Sequence, residues 1–368
     1  MHTDRSALRF RLPIVAIACA LGFALLPMPA AVGGVVPTVT VIASGLNNPR
    51  GLAATDAQSF FVAEAGKGGT VRCGPGPLGK MCVGRSGRLT HVDAGTLDRL
   101  VRLSSIALRN GSQAFGPHDV AVSEDGALFA TIGLGGTPET RDGFRAAGSQ
   151  LGTLVEFTPG GRARVVADLL AYEASHDPND DGIESDPYGI LRVGKRTIVT
   201  DAAGNSLLRV SPTGHIKTLA VFPNRDVPFE GDQVTMDSVP TSVVLGPDGA
   251  YYVSELTGFP FPVGEARVYR VVPGEDPEIY ATGFTNIIDI AFDSSGNLWV
   301  VEIAHNGLAA DAPFGALMRV GPGGGTPTVV LQEGLSFPTS VAVMDDGSLL
   351  VTNCGVCPGD GEVLKVVP

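Results

Sequence analysis

One pattern recurs six times along the chain and constrains its fold more than any other feature. A turn, often through Pro, leads into an apolar strand; a polar-Gly turn follows; a second strand ends on a polar residue. The copies read PRGLAATDAQSFFVAE from Pro49, PHDVAVSEDGALFATI from Pro117, PYGILRVGKRTIVTD from Pro187, PTSVVLGPDGAYYVSE from Pro240, IIDIAFDSSGNLWVVE from Ile287 and PTSVAVMDDGSLLVTN from Pro338. Successive copies start 68, 70, 53, 47 and 51 residues apart. Two more strand-like runs follow a copy, such as SLLRVSP and HIKTLAVF after the third. Four short strands per repeat, joined by Gly/Asp turns, describe the blade of a propeller. A pair of β-sandwiches would not keep six copies in phase without a break in composition. The expected fold is therefore an all-β, six-bladed β-propeller with four-stranded blades.

The ends of the chain suggest how such a ring closes. The last copy supplies two strands and a third, GEVLKVVP, where the sequence stops. TVTVIASGL, from Thr38, resembles the outer strands that precede other copies, such as PEIYATGF. A strand over about 37–44 would complete the final blade and remove an open sheet edge.

Ahead of that strand, residues 1–33 read as a secretory signal peptide. Arg5, Arg9 and Arg11 form a basic start, Leu12 to Leu26 is uncharged and apolar, and Ala30, Ala31, Gly33 and Gly34 offer a small-residue cleavage region. The apolar run is shorter than the roughly 20 residues that a spanning helix needs. The expected product is a single propeller domain, 34–368, secreted or periplasmic, monomeric and without a membrane span. The leader holds three Arg and one Asp, so the formal charge of −12 becomes −14 in the mature chain. Such an acidic surface repels phosphate backbones, which argues against nucleic acid as a partner.

Cys19 lies within the leader, leaving Cys73, Cys82, Cys354 and Cys357. An even count in an exported chain points to disulfides, with Cys73–Cys82 and Cys354–Cys357 as the local pairing among three possibilities. The C-x-x-C at 354–357 follows a strand and opens no helix, so nothing obvious lowers a thiol pKa there.

The turns between first and second strands are short. The longer insertions, 65–85, 133–150, 170–186, 223–239, 256–265, 303–314 and 354–361, all map to the opposite face, where a binding site is expected. Two rings of residues meet that face. Arg50, His118, Tyr188, Thr241, Ile288 and Thr339 start the inner strands; Glu64, Ile132, Asp201, Glu255, Glu302 and Asn353 end the second strands. Equivalent places in successive blades come together around the axis, so Glu64, Asp201, Glu255 and Glu302 are expected at one channel mouth with Arg50 and His118 among them. Four carboxylates there would hold a cation or a cationic partner. The alternative is that each carboxylate caps backbone N–H groups of its own blade. His305, just beyond Glu302, is read as a supporting or packing residue, and GFPFP at 258–262 with Tyr188 as a source of apolar contacts. Asp177-Pro178-Asn179-Asp180-Asp181-Gly182 imitates the start of a calcium loop, with Asp177, Asn179 and Asp181 as candidate Ca2+ ligands. The twelfth position of that pattern, a bidentate Glu in calcium loops, is Tyr188. No G-x-S-x-G nucleophile motif and no H-E-x-x-H zinc motif occurs.

Several long segments resemble the ScyD/ScyE family, linked to scytonemin biosynthesis. They include LLAYEASHDPNDDGIESDPYGIL, VPTSVVLGPDGAYYVSELTGFPFPVGEARVYRVVPG, ATGFTNIIDIAF, VEIAHNG and the terminal TNCGVCPGDGEVLKV. The resemblance runs from about residue 38 to the end and implies an exported propeller, but no established reaction. More distantly, the blade repeat resembles NHL repeats and the gluconolactonase group. That likeness implies a channel calcium whose ligands would be Glu64, Asp201 and Asn353. Three functions follow as expectations: a binding module for a small molecule or protein; a calcium-dependent hydrolase or lyase of gluconolactonase or streptogramin-lyase type; and a structural or adhesive extracellular propeller.

Overall fold

The computed structural model describes residues 36–56, 58–157 and 163–368. The leader expected over 1–33, with Cys19, lies outside them. Each copy of the repeat begins the inner strand of an antiparallel sheet, and six such sheets follow in order. Blade 1 is Pro49–Ala54, Ser59–Glu64, Gly79–Asp93 and Thr96–Ala107; blade 2 is Pro117–Val122, Leu128–Ile132, Thr153–Phe157 and Ala163–Asp168. Blade 3 is Pro187–Val193, Arg196–Asp201, Ser206–Val210 and Ile216–Val221; blade 4 is Pro240–Leu245, Tyr251–Glu255, Ala266–Val271 and Glu278–Phe284. Blade 5 is Ile287–Phe292, Leu298–Glu302, Ala316–Val320 and Thr328–Leu331. Blade 6 takes Ser340–Val343, Leu349–Asn353 and Pro358–Val367 from the C-terminus and Thr38–Asn47 from the N-terminal side. That last pairing is antiparallel, from Thr38 opposite Val367 to Asn47 opposite Pro358. The ring is thus closed by the strand anticipated from the sequence, which runs further along the chain than expected, to Asn47.

The strands alternate apolar residues to both faces because both faces are covered. In blade 3, Ile198 and Leu207 pack toward blade 4, whereas Val199 and Leu208 pack toward blade 2. In blade 5, Leu298 and Val300 face blade 4, while Trp299 and Val301 face blade 6. A strand's period of two sends neighbours to opposite sides. Among the described residues, the large apolar clusters number six, one for each pair of adjacent blades. The core is therefore distributed between blades, which leaves the axis free for polar side chains.

Turns fix the register. Gly126, Gly249, Gly296 and Gly347 take the same place in the hairpins joining first and second strands, at φ of 80°, 79°, 80° and 77°. That left-handed backbone is costly for other residues and explains the recurring Gly. At the other end, pairing slips between Pro49 and Leu52, Pro117 and Asp119, Pro187 and Ile190, Pro240 and Ser242, and Ile287 and Asp289. Such bulges re-aim side chains. Here they occur in five blades at the start of the inner strand, beside the axis.

The insertions contain structure that the repeat does not announce. Arg72–Gly76 pairs with the start of Gly79–Asp93, so part of the 65–85 insertion is a hairpin. Arg225–Phe229 and Asp232–Met236 form a second hairpin within 223–239. Leu169–His176 is a helix, capped by the Asp168 carboxylate accepting from the Ala171 N–H. Disulfides join Cys73 to Cys82 and Cys354 to Cys357, the local pairing. Among the described residues, no helix is long and apolar enough to cross a membrane.

Candidate functional site in the propeller channel

The carboxylates at the ends of the second strands are buried, and each holds a donor from the segment that leads into its blade. Glu64 accepts from the Asn47 N–H at 2.6 Å, from the Asn47 amide and from the Thr90 hydroxyl. Asp201 accepts from the Ser185 hydroxyl and from the N–H groups of Asp186 and Gly204. Glu302 accepts from the Thr285 N–H at 2.7 Å and pairs with His305. Asn353 does the same job with its amide oxygen, accepting from the Ser336 N–H at 2.9 Å. Glu64, Glu255, Glu302 and Asn353 all reach the residue 17 positions before them, so one device ties the second strand to the segment entering the blade. Among the described residues, none of these groups pairs with another of the set. This differs from the expected shared acidic ring: each group is tied by hydrogen bonds to the segment leading into its own blade.

Glu255 differs in having a cation. The Arg225 guanidinium, from the 225–236 hairpin, donates to its Oε1 at 2.6 Å, and Ser238 and Tyr269 donate to Oε2. Burial raises the Glu255 pKa and Arg225 opposes that rise. His305 stands beside Glu302, which holds its imidazole above the usual value by hydrogen bonding. Its ring also packs toward Phe314, 6.0 Å away. GFPFP packs against the hairpin: Phe259 meets Phe229 edge-on at 4.9 Å and remains 58% exposed.

The groups that reach the axis come from the inner strands. Arg50 is buried and donates from its two terminal nitrogens to the carbonyls of Gly355 and Ala114. His118 is buried against Tyr188, ring centres 4.6 Å apart, with Nδ1 3.5 Å from Asp186. Burial, then the Arg50 charge, pushes His118 well below the usual imidazole value, so the ring is neutral at pH 7. Asp186 is raised well above the carboxylate range by burial and then by Asp201. Gly133 permits this meeting: a Cβ there would come 2.1 Å from the His118 ring and 2.5 Å from Asp186.

One position further along the inner strands lie Gly51, Asp119, Gly189, Ser242, Asp289 and Ser340. This ring contains two residues that the sequence reading passed over. Asp289 accepts from the hydroxyls of Ser242 and Ser340, both at 2.6 Å, and from the Ile290 and Val341 N–H groups, joining blades 4, 5 and 6. Asp119 accepts from the Val120 and Ile190 N–H groups, joining blades 2 and 3, and lies against Gly51 where a Cβ would touch it. Both carboxylates remain half-buried. Burial raises both, and Asp119 is raised further by the charge of Asp289. Among the described residues, neither has a cationic side chain as an ion-pair partner. Tyr188, also half-buried, has its phenol raised by burial and by these aspartates. The clue in the sequence was a lone Asp inside an apolar inner strand, in PHDVAV and IIDIAF.

The candidate calcium-loop residues Asp177, Asn179 and Asp181 follow the helix Leu169–His176. The Asp181 carboxylate accepts from the Asn224 amide, while Asp177 Oδ1 and Asn179 Oδ1 are shielded from solvent with no donor. Four surface depressions, such as one lined by Phe292, Trp299 and Met344, contain none of the channel groups.

No protein-family model matches the sequence, and no curated protein matches it. Solved structures share the fold. An oxidoreductase (glucose dehydrogenase) from Thermus thermophilus is 20% identical, with 90% of this chain and 100% of that one aligned and a TM-score of 0.53. Virginiamycin B lyase from Staphylococcus aureus is 14% identical over 90% of this chain and 99% of that one, at a TM-score of 0.50. A protein assigned as a gluconolactonase is 13% identical over 92% of both chains, at a TM-score of 0.50. At these identities the likeness establishes the propeller architecture and leaves the chemistry to the site itself.

Proposed function

We propose that this propeller is an exported binding module of the ScyD/ScyE kind, whose channel takes a small molecule carrying a positively charged group. One observation carries the reading. Asp119 and Asp289 are half-buried inner-strand carboxylates raised by burial, Asp119 further by the charge of Asp289, and neither has a cationic ion-pair partner among the described residues. Like charges held close in a poorly solvated site favour either protonation or an added cation. A perturbed pair of this kind in a channel is a functional-site candidate on physical grounds. Tyr188 adds a half-buried aromatic surface for the ligand's apolar part, and its ring can also face a cation.

The ScyD/ScyE reading, with its link to secondary-metabolite biosynthesis, is supported by long motifs such as SELTGFPFP and NCGVCPG, which exceed what a blade repeat requires. A channel-calcium hydrolase would need Glu64, Asp201 and Asn353 to give up donors from the segments leading into their blades.

Thermal-shift measurements with benzylammonium, benzyl alcohol and benzoate test the proposal. Benzylammonium should raise the melting temperature of the wild type and have little effect on Asp119→Asn. Equal shifts from all three compounds, or an unchanged response in Asp119→Asn, would refute a cation-selective channel.

A further inference from the structure

The loop between the helix Leu169–His176 and the inner strand of blade 3 contains an unusual set of oxygens. Glu173 is completely buried, on the inward side of the helix. Neither of its carboxylate oxygens has a hydrogen-bond partner. Asp177 Oδ1 and Asn179 Oδ1 are in the same condition. A carboxylate oxygen accepts and an amide oxygen accepts, so these atoms cannot satisfy one another. Leaving them all unmet in a buried place costs more than most native structures tolerate.

Two neighbouring features concern the same place. Gly204 lies beside it: a Cβ at that position would stand 2.9 Å from Glu173 Oε2 and 3.3 Å from the Asp201 carboxyl carbon. The missing side chain leaves room next to the carboxylate. At the edge of the loop, Asp237 of the 223–239 insertion is raised chiefly by burial and also by Asp181, so a second pair of acids gathers there.

We propose that Glu173, Asp177 and Asn179 are side-chain ligands of a Ca2+ site lying outside the channel. The donor set decides the ion. It is all oxygen, mixing carboxylates with an amide, which suits a hard cation. Cysteine is absent from it, and His176 is turned away, stacked on Tyr172 at 4.1 Å. Ca2+ accepts irregular oxygen shells, whereas Mg2+ demands near-octahedral geometry and keeps its waters. Among the described residues, no three His, Cys, Asp or Glu side chains already form a metal-binding group. The amide oxygen of Asn179 is the third side-chain donor of the proposed set.

The site also explains why this loop is built into the ring. Its continuation, Ser185 and Asp186, hydrogen-bonds to Asp201, and Asp186 reaches His118 in the channel. An ion fixing Asp177 and Asn179 anchors the segment that delivers Asp186.

Calcium titration of the EGTA-stripped mature propeller, by calorimetry and thermal melting, tests the proposal. One Ca2+ should bind per chain with a dissociation constant below about 1 mM, as extracellular sites do. At a hundredfold excess over that constant, melting should rise by about 3 °C. Glu173→Gln should weaken calcium binding at least about tenfold, which is a loss of about 1.4 kcal/mol. Asn179→Ala, at a partly exposed loop position, should weaken it similarly and serves if Glu173→Gln does not fold. Asp119→Asn should bind calcium as the wild type does, which separates this site from the proposed channel site. No calcium binding up to about 10 mM, or binding lost in Asp119→Asn but kept in both loop variants, would overturn the assignment.

Discussion

Leu46→Ala measures how far the ring depends on its closing strand. Leu46 is fully buried in the strand Thr38–Asn47, and its cluster joins Val363 and Leu350 of blade 6 to Leu52, Phe60 and Val62 of blade 1. Removing a buried leucine side chain costs about 2–5 kcal/mol, and a site walled by two blades has little freedom to collapse, so about 3 kcal/mol is expected. With a urea dependence of about 3 kcal/mol/M for a chain of this size, the midpoint should fall by about 1 M. Trp299 is the single tryptophan and lies in blade 5, buried toward blade 6, so its fluorescence reports on a part of the sequence far from Leu46. If the distributed core makes the ring one cooperative unit, the Trp299 transition should shift by the full amount. Deleting residues 34–44 should produce a larger loss of the same kind. A Trp299 midpoint that does not move in Leu46→Ala would mean that the strand is an appendage and that closure contributes nothing to the other blades.

Glu255→Gln should destabilise the protein by about 1–3 kcal/mol, because the buried Arg225 guanidinium loses its carboxylate; chemical denaturation showing equal or greater stability would contradict the pairing. Asp119 and Asp289 titrate above their unfolded values. Their contribution to stability is therefore present below the unfolded carboxylate pKa and is lost as pH rises through the folded values. Asp119→Asn should accordingly gain in melting temperature relative to wild type between about pH 4 and pH 8; a relative loss over that range would reverse the sign of the argument.

The fold was legible because blade structure imposes a repeat on the sequence. Runs such as LWVV and TIVT are buried at successive positions because adjacent blades cover both faces. The closing strand could be read from the unmatched strands at the two ends. The hairpin Arg225–Phe229 with Asp232–Met236 and the helix Leu169–His176 were not legible, since each is short and occurs once. The acidic residues ending the second strands were correctly placed by equivalence, but their side-chain direction was not. Each turns toward an N–H or O–H donor of the segment leading into its blade, as Glu302 does to Thr285. The channel aspartates were hidden for the opposite reason. Their position is Gly in blades 1 and 3 and Ser in blades 4 and 6, so no pattern marks it. Glu173 drew no notice because the segment around it, 170–186, was read only as an insertion, whereas Asp177 and Asn179 stood out because their spacing is visible without knowledge of the surrounding fold.

The central claim is that the channel holds a cationic group between Asp119 and Asp289. Crystals of the mature propeller soaked with 4-bromobenzylammonium test it most directly, through the anomalous signal of bromine. The account predicts one strong bromine peak beside Tyr188, with the ammonium directed to the two aspartates, and no such peak in Asp119→Asn. Bromine found only on the outer surfaces of the blades at saturating ligand, or the same channel peak in Asp119→Asn, would contradict it.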